Sequence, residues 1–205
     1  MTIKERLSFR ELQRQINTSC YERVMLQNQK LSTLSGEIPQ DLSNVFKDSY
    51  VLEMFQLPQL HSEKDLKHRI SQNISLFLLE FGRDFSFMGE EYPIQVGSQD
   101  FAIDLLFYHR SLQCMVAIEL KVEKFKPEHL GQLNFYLEAL DRDIKKPYEN
   151  PSIGILLCKG KDDTVVEYAM SRSLSPTLVA DYKTQLPEKA LLKERWEAIL
   201  TQLTD

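Results

Sequence analysis

Two neighbouring apolar segments of the chain each contain charged residues. Asp104 interrupts the run from Phe101 to Phe107, and Glu119 and Lys121 interrupt the run that begins at Val116. A carboxylate or ammonium among core side chains needs a partner, a metal ion or water, because burying it alone costs several kcal/mol or shifts its pKa until it neutralises. Two carboxylates and a lysine close together therefore indicate a candidate metal site.

The residues between the two segments are polar enough to turn the chain, which predicts an antiparallel hairpin. We expect His109 to pair with Cys114 across a four-residue loop. This register places Asp104 opposite Glu119, and Lys121 follows two residues later on the same face. Cross-strand neighbours lie roughly 5 Å apart, so both carboxylates could bind one hard divalent cation. A register shifted by one residue would separate them.

The chemistry that this cluster could perform is phosphodiester hydrolysis. Mg²⁺ prefers oxygen ligands and keeps several waters, so two carboxylates, a backbone carbonyl such as that of Leu120 and a substrate phosphate could complete its shell. Lys121 would position and help deprotonate an attacking water, or offset negative charge as it develops. The alternative is an ordinary ion-paired patch on an exposed sheet face, since charged side chains usually face solvent.

The spacing also resembles a known signature. Asp104, fourteen residues and then Glu-Leu-Lys121 match the Asp and (Asp/Glu)-x-Lys pattern of the PD-(D/E)XK nuclease superfamily, although Ile103 stands where the superfamily's name has proline. Over roughly residues 44–186 the sequence resembles the YhcG family of bacterial proteins, whose carboxy-terminal half is such a nuclease domain. The segments that carry this resemblance are Phe101-Ala-Ile-Asp-Leu-Leu-Phe-Tyr-His109, Val116-Ala-Ile-Glu-Leu-Lys121, Lys124-Phe-Lys-Pro-Glu128, Gly131-Gln-Leu-Asn-Phe-Tyr-Leu137 and Pro151-Ser-Ile-Gly-Ile-Leu-Leu-Cys158.

The resemblance implies an α/β fold with a restriction-endonuclease-like αβββαβ core, in which helices flank a mixed central sheet. It implies an endo- or exonuclease that uses Mg²⁺ or Mn²⁺ to hydrolyse phosphodiester bonds in DNA or RNA. Asp104 and Glu119 would hold the ion, and Lys121 would serve the attacking water.

The resemblance adds three further candidate site residues. An acidic residue on the helix before the three-stranded meander often joins the metal shell in this superfamily, and Glu80 is the matching residue. Gln132 and Tyr136 have a Gln-x-x-x-Tyr spacing similar to a motif of the exonuclease-like branch, where these side chains line the site and would orient the water or the phosphate. The alternatives are that Glu80 merely ends an amphipathic helix, and that Gln132 and Tyr136 belong to the surface and the edge of the core.

Composition limits the other classes of protein. The 205 residues are 42% hydrophobic and 27% charged, which is ordinary for a soluble globular chain. Neither an apolar run of about twenty residues nor a signal peptide is present, so we expect a cytoplasmic protein that does not enter a membrane. Three scattered cysteines indicate neither a disulfide framework nor a zinc site. A net charge of −5 argues mildly against avid nonspecific binding to nucleic acid.

The chain divides into three predicted regions. Residues 1–31 form an amphipathic helix that resembles the last helix of a separate amino-terminal domain in longer YhcG-like proteins, residues 32–46 form a linker, and residues 47–205 form the nuclease-like domain. Within that domain the patterns predict the following elements: helices over 62–81, 126–141, 164–172 and 187–203, and strands over 85–88, 92–96, 101–108, 114–121, 152–158 and 178–182.

Two other functions compatible with the sequence do not require catalysis. A nuclease fold could bind nucleic acid or assemble a larger complex with little or no hydrolysis. The amino-terminal helix could also dock on a second copy and form a homodimer. His109 is a poor candidate for a general base, because we expect it to be exposed in the hairpin turn, far from Glu119 and Lys121.

Overall fold

Six strands form a single sheet in the part of the chain that the structure describes. The computed structural model describes residues 45–185 apart from positions 59, 83, 172 and 174. The strands are β1 (Ser49–Val51), β2 (Phe85–Val96), β3 (Gln99–His109), β4 (Cys114–Lys124), β5 (Ile153–Gly160) and β6 (Thr177–Lys183), in the spatial order β1-β6-β5-β4-β3-β2. The helices are α1 (Glu63–Gln72), α2 (Ile74–Phe81), α3 (His129–Ala139) and α4 (Asp163–Met170), with a 3₁₀ turn at Glu53–Phe55 and a π turn at Leu140–Ile144.

The sheet is mixed, as predicted. Strands β2, β3 and β4 form an antiparallel meander, whereas β4, β5, β6 and β1 run parallel to one another. The apolar run in β5 is buried from Ile153 to Cys158, which agrees with its central parallel position. The order of a helical segment, three meander strands, a helix and a parallel strand confirms the αβββαβ core.

A separate apolar layer covers each face of the sheet. One layer joins Leu66 and Ile70 of α1 and the aromatic residues of α2 to Val116, Ile118 and Leu120 of β4. The other layer seats α3 on β4 and β5 through side chains that include the following residues: Ala117, Leu133, Tyr136, Leu137 and Leu156. The charged cluster in β3 and β4 thus lies in a sheet whose two faces are both covered.

The single helix predicted over residues 62–81 is in fact two helices, divided at Asn73. Ser62 forms a capping box with Asp65 at the start of α1, which is where the predicted helix begins. Asn73 leaves helical geometry with ψ 37°, and its side chain donates to the carbonyl of Arg69. Helix α2 therefore has its own packing, against β1 and β2, while α1 contacts β4.

Other boundaries also differ from the prediction. The two strands predicted over 85–96 are one strand, β2, with an irregular register between Phe87 and Gly89. The sequence patterns do not predict strand β1, because three residues are too short to show an alternating pattern. Phe46, at the end of the predicted linker, is buried in the core.

The expectation that His109 is exposed in the turn is wrong. His109 ends β3 and is buried against Phe46 and Phe85, and its Nδ1 accepts a hydrogen bond from the Leu112 amide at 3.1 Å. Burial lowers the pKa of this imidazole. The ring closes the hairpin loop, which is the end of the hairpin farthest from Glu119.

The predicted helices over residues 1–31 and 187–203 lie outside the described residues, so both remain predictions. In the described part of the chain, no helix has the length and apolar character that crossing a membrane requires.

Candidate metal centre

The β3–β4 ladder has the predicted register as far as it extends, and the expected pair of Asp104 and Glu119 lies just beyond its end. His109 pairs with Cys114, and the pairing continues to Leu105 and Ile118. Beyond that point, Oδ2 of Asp104 accepts a hydrogen bond from the backbone amide of Leu120 at 2.9 Å. The Asp104 carboxylate therefore lies beside the backbone next to Glu119, and both side chains are buried.

Glu119 has one oxygen that is paired and one that is not. Its Oε1 accepts a hydrogen bond from Nζ of Lys121 at 2.9 Å, whereas Oε2 is buried and has no hydrogen-bond partner among the described residues. Burial and then the charge of Asp104 raise the pKa of Glu119 to about 7, against the opposing effects of Lys121 and Lys67. A buried carboxylate oxygen without a partner is costly, which favours a site that binds a cation.

Helix α1 brings two further charged side chains that the sequence analysis missed. Nζ of Lys67 lies 2.5 Å from Oδ1 of Asp104, and Oε1 of Glu63 lies 4.0 Å from Nζ of Lys121. Glu63 and Lys67 are four residues apart, so they share a face of the helix. That spacing is the signal in the sequence that could have identified them, together with the neighbouring core residue Leu66.

Both lysines of the centre remain charged at neutral pH. Burial acts to lower the pKa of Lys121, but the hydrogen bond and charge of Glu119 outweigh it and raise the pKa above its ordinary value. The pKa of Lys67 is raised in the same way, because the Asp104 carboxylate outweighs the burial of the ammonium. The centre thus contains two ion pairs. One joins Asp104 of β3 to Lys67 of α1, and the other joins Glu119 to Lys121 within β4.

The structure does not bring Glu80 to this cluster. Glu80 is 1% exposed, and its Oε1 accepts hydrogen bonds from the amide of Val51 at 3.2 Å and from Nζ of Lys47 at 3.1 Å. Val51 belongs to β1, which is three strands away from β4, and that separation is about 14 Å at the usual strand spacing. The physical reason is the break at Asn73, which gives α2 a packing site of its own.

Gln132 and Tyr136 face the same side of α3, as their spacing predicts. Nε2 of Gln132 donates a hydrogen bond to the Tyr136 hydroxyl at 2.8 Å, and the Tyr136 ring is buried in the layer between α3 and the sheet. Among the described hydrogen bonds, none joins either side chain to Asp104, Glu119 or Lys121. The structure therefore joins these two residues to each other, and their role at the site stays a prediction.

The donor atoms of the centre fit a hard divalent cation. Asp104 and Glu119 supply carboxylate oxygens, and the unpaired Oε2 of Glu119 is a ready ligand. Within the described ranges, no group of three or more His, Cys, Asp or Glu side chains could hold a metal ion. Mg²⁺ commonly binds through one or two carboxylates and completes its shell with water and substrate phosphate, so two carboxylates are sufficient.

The mixed sheet, the meander and the Asp104, Glu119 and Lys121 cluster define a nuclease domain of the PDDEXK type. A family model described as the YhcG PDDEXK nuclease domain matches residues 43–197, and the chain belongs to this family. A curated relative is the Escherichia coli (strain K12) protein named "Putative nuclease YhcG", which is 36% identical over 202 residues. The match covers 95% of this chain and 54% of the relative, so the chain spans about half of that protein's length.

Solved structures with similar folds are distant. A repair endonuclease from Pyrococcus abyssi has a TM-score of 0.42 and 19% identity, over 63% of this chain and 49% of that one. A structure described as an EndoMS-dsDNA2 complex has a TM-score of 0.40 and 18% identity, over 65% of this chain and 47% of that one.

Proposed function

We propose that this domain hydrolyses phosphodiester bonds in DNA with the help of a divalent metal ion, Mg²⁺ or Mn²⁺. The observation that carries the proposal is the buried, unpaired Oε2 of Glu119 beside the carboxylate of Asp104. Lys121 lies against the same Glu119, so the centre has the composition that the (Asp/Glu)-x-Lys signature predicts. Membership of the YhcG PDDEXK nuclease family supports the same reaction.

Each residue of the centre has a distinct role in this proposal. Asp104 and Glu119 hold the ion, and the Leu120 amide fixes the orientation of Asp104. When bound, the ion supplies Lewis-acid polarisation of the phosphate and lowers the pKa of a bound water. Lys121 lies 2.9 Å from Oε1 of Glu119, where its ammonium would orient the water and offset negative charge on the phosphate.

Other residues support these groups from neighbouring helices. Glu63 lies 4.0 Å from the Lys121 ammonium and limits the directions in which that side chain can turn. We propose that Gln132 orients the water or a phosphate oxygen, with the Tyr136 hydroxyl holding its side-chain amide in place. Strand positions thus supply the metal ligands, and helix positions supply groups that act on Lys121, the water or the phosphate.

The substrate, compartment and assembly remain those that the sequence predicts. DNA is the proposed substrate and RNA the alternative, the cytoplasm is the proposed compartment, and the amino-terminal helix is the proposed contact of a homodimer. The net charge of −5 predicts that DNA binding is weak without the ion, because an acidic protein repels phosphates.

The direct test is cleavage of plasmid, single-stranded DNA and RNA with and without Mg²⁺ or Mn²⁺. We expect metal-dependent cleavage that Asp104→Ala and Lys121→Ala each reduce by at least about 100-fold. The matched controls are Asp100→Ala on β3 and Lys124→Ala on β4, because both side chains are exposed on the same strands. Equal cleavage by the wild type and both site variants would show that a contaminant cleaves, and the proposal would fail.

A second candidate function is a nucleic-acid-binding or assembly module with little or no hydrolysis. Two observations favour it: Glu80 is three strands away from the centre, and the described residues provide no cluster of three ligands. Titration with Mn²⁺ discriminates between the candidates. Salt-sensitive DNA binding without metal binding at millimolar concentration would favour the module, whereas metal binding that Asp104→Ala abolishes would favour the nuclease.

A further inference from the structure

The two carboxylates of the centre differ in how completely they are paired. Both oxygens of Asp104 have partners, because Oδ2 accepts from the Leu120 amide and Oδ1 contacts the Lys67 ammonium at 2.5 Å. Glu119 instead has an oxygen, Oε2, that is buried without a hydrogen-bond partner in the described part of the chain. Without a cation, the described residues of the centre have one unpaired carboxylate oxygen, on Glu119. The charge of the other carboxylate, that of Asp104, is already neutralised by Lys67.

A divalent cation and the Lys67 ammonium would compete for the carboxylate of Asp104. An ion held by Asp104 and Glu119 would place a double positive charge near the Lys67 ammonium, which contacts Oδ1 of Asp104 at 2.5 Å. Like charges at that distance repel strongly inside a protein, where water screens them poorly. Lys67 must therefore leave Asp104 when the ion binds.

The side chain of Lys67 is able to move without disturbing the fold. Its neighbour Leu66 is fully buried and anchors α1, whereas the Lys67 side chain is 28% exposed and ends in a flexible four-carbon stem. An exposed carboxylate, that of Glu91, lies 4.0 Å from its ammonium. A displaced ammonium would thus remain at the mouth of the centre, where an entering phosphate is the strongest available anion.

We propose that Lys67 is an internal counter-ion that couples the binding of the divalent metal to the binding of the nucleic-acid phosphate. Without ligands it pairs with Asp104. The metal displaces it, and the displaced ammonium binds a phosphate oxygen of the substrate, so each ligand favours the other. The inference rests on the proposed nuclease function. It adds a residue outside the signature and the order in which the metal and the nucleic acid bind.

The proposal predicts an effect opposite to that of an ordinary ligand or structural residue. Removing the charge of Lys67 frees Asp104, so metal should bind more tightly in the absence of DNA. Lys67→Gln is the best variant, because it removes the positive charge and keeps a polar side chain at this partly exposed position. Lys67→Arg keeps the charge and should behave like the wild type. Lys64→Gln removes one exposed charge from the same helix and is the matched control.

Binding of Mn²⁺, followed by electron paramagnetic resonance with and without a phosphorothioate duplex that resists hydrolysis, provides the test. In the wild type we expect the duplex to increase Mn²⁺ affinity by about tenfold, within the usual range of coupled sites. Lys67→Gln should bind Mn²⁺ about tenfold more tightly without DNA and gain much less from the duplex. Thermal unfolding of each variant verifies that the fold is intact.

Different outcomes separate the failure of this inference from the failure of the proposed function. If Lys67→Gln binds Mn²⁺ no more tightly than the wild type and Lys64→Gln do, the inference is wrong, although metal-dependent cleavage could still stand. If the wild type neither binds Mn²⁺ nor cleaves DNA, both are wrong. If Lys67→Gln does not fold, Lys67→Met in its place gives the same comparison with Lys67→Arg, and unchanged Mn²⁺ affinity again overturns the inference.

Discussion

Oδ2 of Asp104 accepts a hydrogen bond from the backbone amide of Leu120, 2.9 Å away on the neighbouring strand. The regular pairing of β3 with β4 runs only to Leu105 and Ile118, so this side-chain contact follows where the backbone ladder ends. This one contact gives the buried Leu120 amide a hydrogen-bond acceptor and fixes the buried Asp104 carboxylate beside Glu119. The local structure of the hairpin and the candidate metal centre therefore depend on the same residue.

Replacing Asp104 should separate its structural role from its role in metal binding. Asp104→Asn keeps an acceptor for the Leu120 amide, so we expect a loss of stability below about 1 kcal/mol together with loss of Mn²⁺ binding. Asp104→Leu leaves that amide without a partner and should lower the free energy of unfolding by about 1–3 kcal/mol. Urea denaturation and Mn²⁺ titration measure the two effects. Equal stability of Asp104→Asn and Asp104→Leu would contradict the structural role.

The raised pKa of Glu119 predicts a pH dependence of stability in the absence of metal. In the folded protein this pKa is about 7, above the ordinary value of 4.5. The folded state therefore binds the proton more tightly, and this contribution is fully present below about pH 4.5 and is lost as the pH rises to about 7. The loss amounts to roughly 3 kcal/mol, at 1.36 kcal/mol for each pKa unit.

The variant Glu119→Gln isolates this contribution, because glutamine does not ionise. We expect the free energy of unfolding, measured with urea between pH 4.5 and 7.5, to fall more steeply in the wild type than in the variant. Addition of Mg²⁺ should reduce the slope in the wild type, since metal binding favours the ionised carboxylate. Parallel curves for the two proteins without metal would show that the pKa of Glu119 is not raised.

Glu80 should affect stability without affecting the metal. Glu80→Ala removes the partner of Lys47 and of the Val51 amide, and we expect the free energy of unfolding to fall by about 3 kcal/mol. The Mn²⁺ affinity of the folded variant should equal that of the wild type, because Glu80 lies by β1. A folded variant that has lost Mn²⁺ binding would instead support the metal role that the family resemblance implies.

Local patterns were sufficient to predict the hairpin and the mixed sheet. The apolar runs around Asp104 and Glu119 and the polar loop between them allow one register that buries both runs, and the structure has that register. The continuous apolar run in β5 likewise specifies a strand covered on both faces. In each case the information lies within a few neighbouring residues.

The contribution of α1 to the centre could not be predicted in the same way. The spacing of Glu63 and Lys67 indicates a shared helix face, but whether that face lies over Asp104 depends on how α1 packs across the sheet. Glu80 illustrates the same limit, because a single break at Asn73 transfers it to a helix that packs on other strands. Contacts between elements that are distant in the sequence determine these positions, and the helix propensity of the residues does not specify them.

The Gln132 and Tyr136 pair offers a test of the proposed orienting role. Tyr136→Phe removes the hydroxyl that accepts from Gln132 at 2.8 Å and should lower stability by at most about 1 kcal/mol. If the pair orients water or phosphate, cleavage should fall by about tenfold, and Gln132→Ala should reduce it by a similar factor without adding to the first loss. Tyr148→Phe, at an exposed tyrosine, is the control. Unchanged cleavage would assign the pair to the edge of the core.

The close approach of α3 to β5 at Gly154 leads to a prediction about the position of the whole helix. A Cβ atom at Gly154 would lie 2.9 Å from Cγ of Leu133 and 3.0 Å from Cδ1 of Leu137, so Gly154→Ala should lower the free energy of unfolding by about 1–3 kcal/mol. Cleavage should also fall, because the displaced α3 carries Gln132. Mn²⁺ affinity should not change, since the ligands lie on β3 and β4.

Gly131→Ala is the matched control on the same helix. A Cβ atom at Gly131 meets nothing within 4 Å, so this variant should instead stabilise the protein by about 0.5–1 kcal/mol through its helix propensity. Leu133→Ala in the Gly154→Ala background removes the Cγ and Cδ2 atoms that the added methyl group would meet, so the double variant should lose less stability than the sum of the two single losses. Additive losses in the double variant would show that the methyl group added by Gly154→Ala does not displace Leu133.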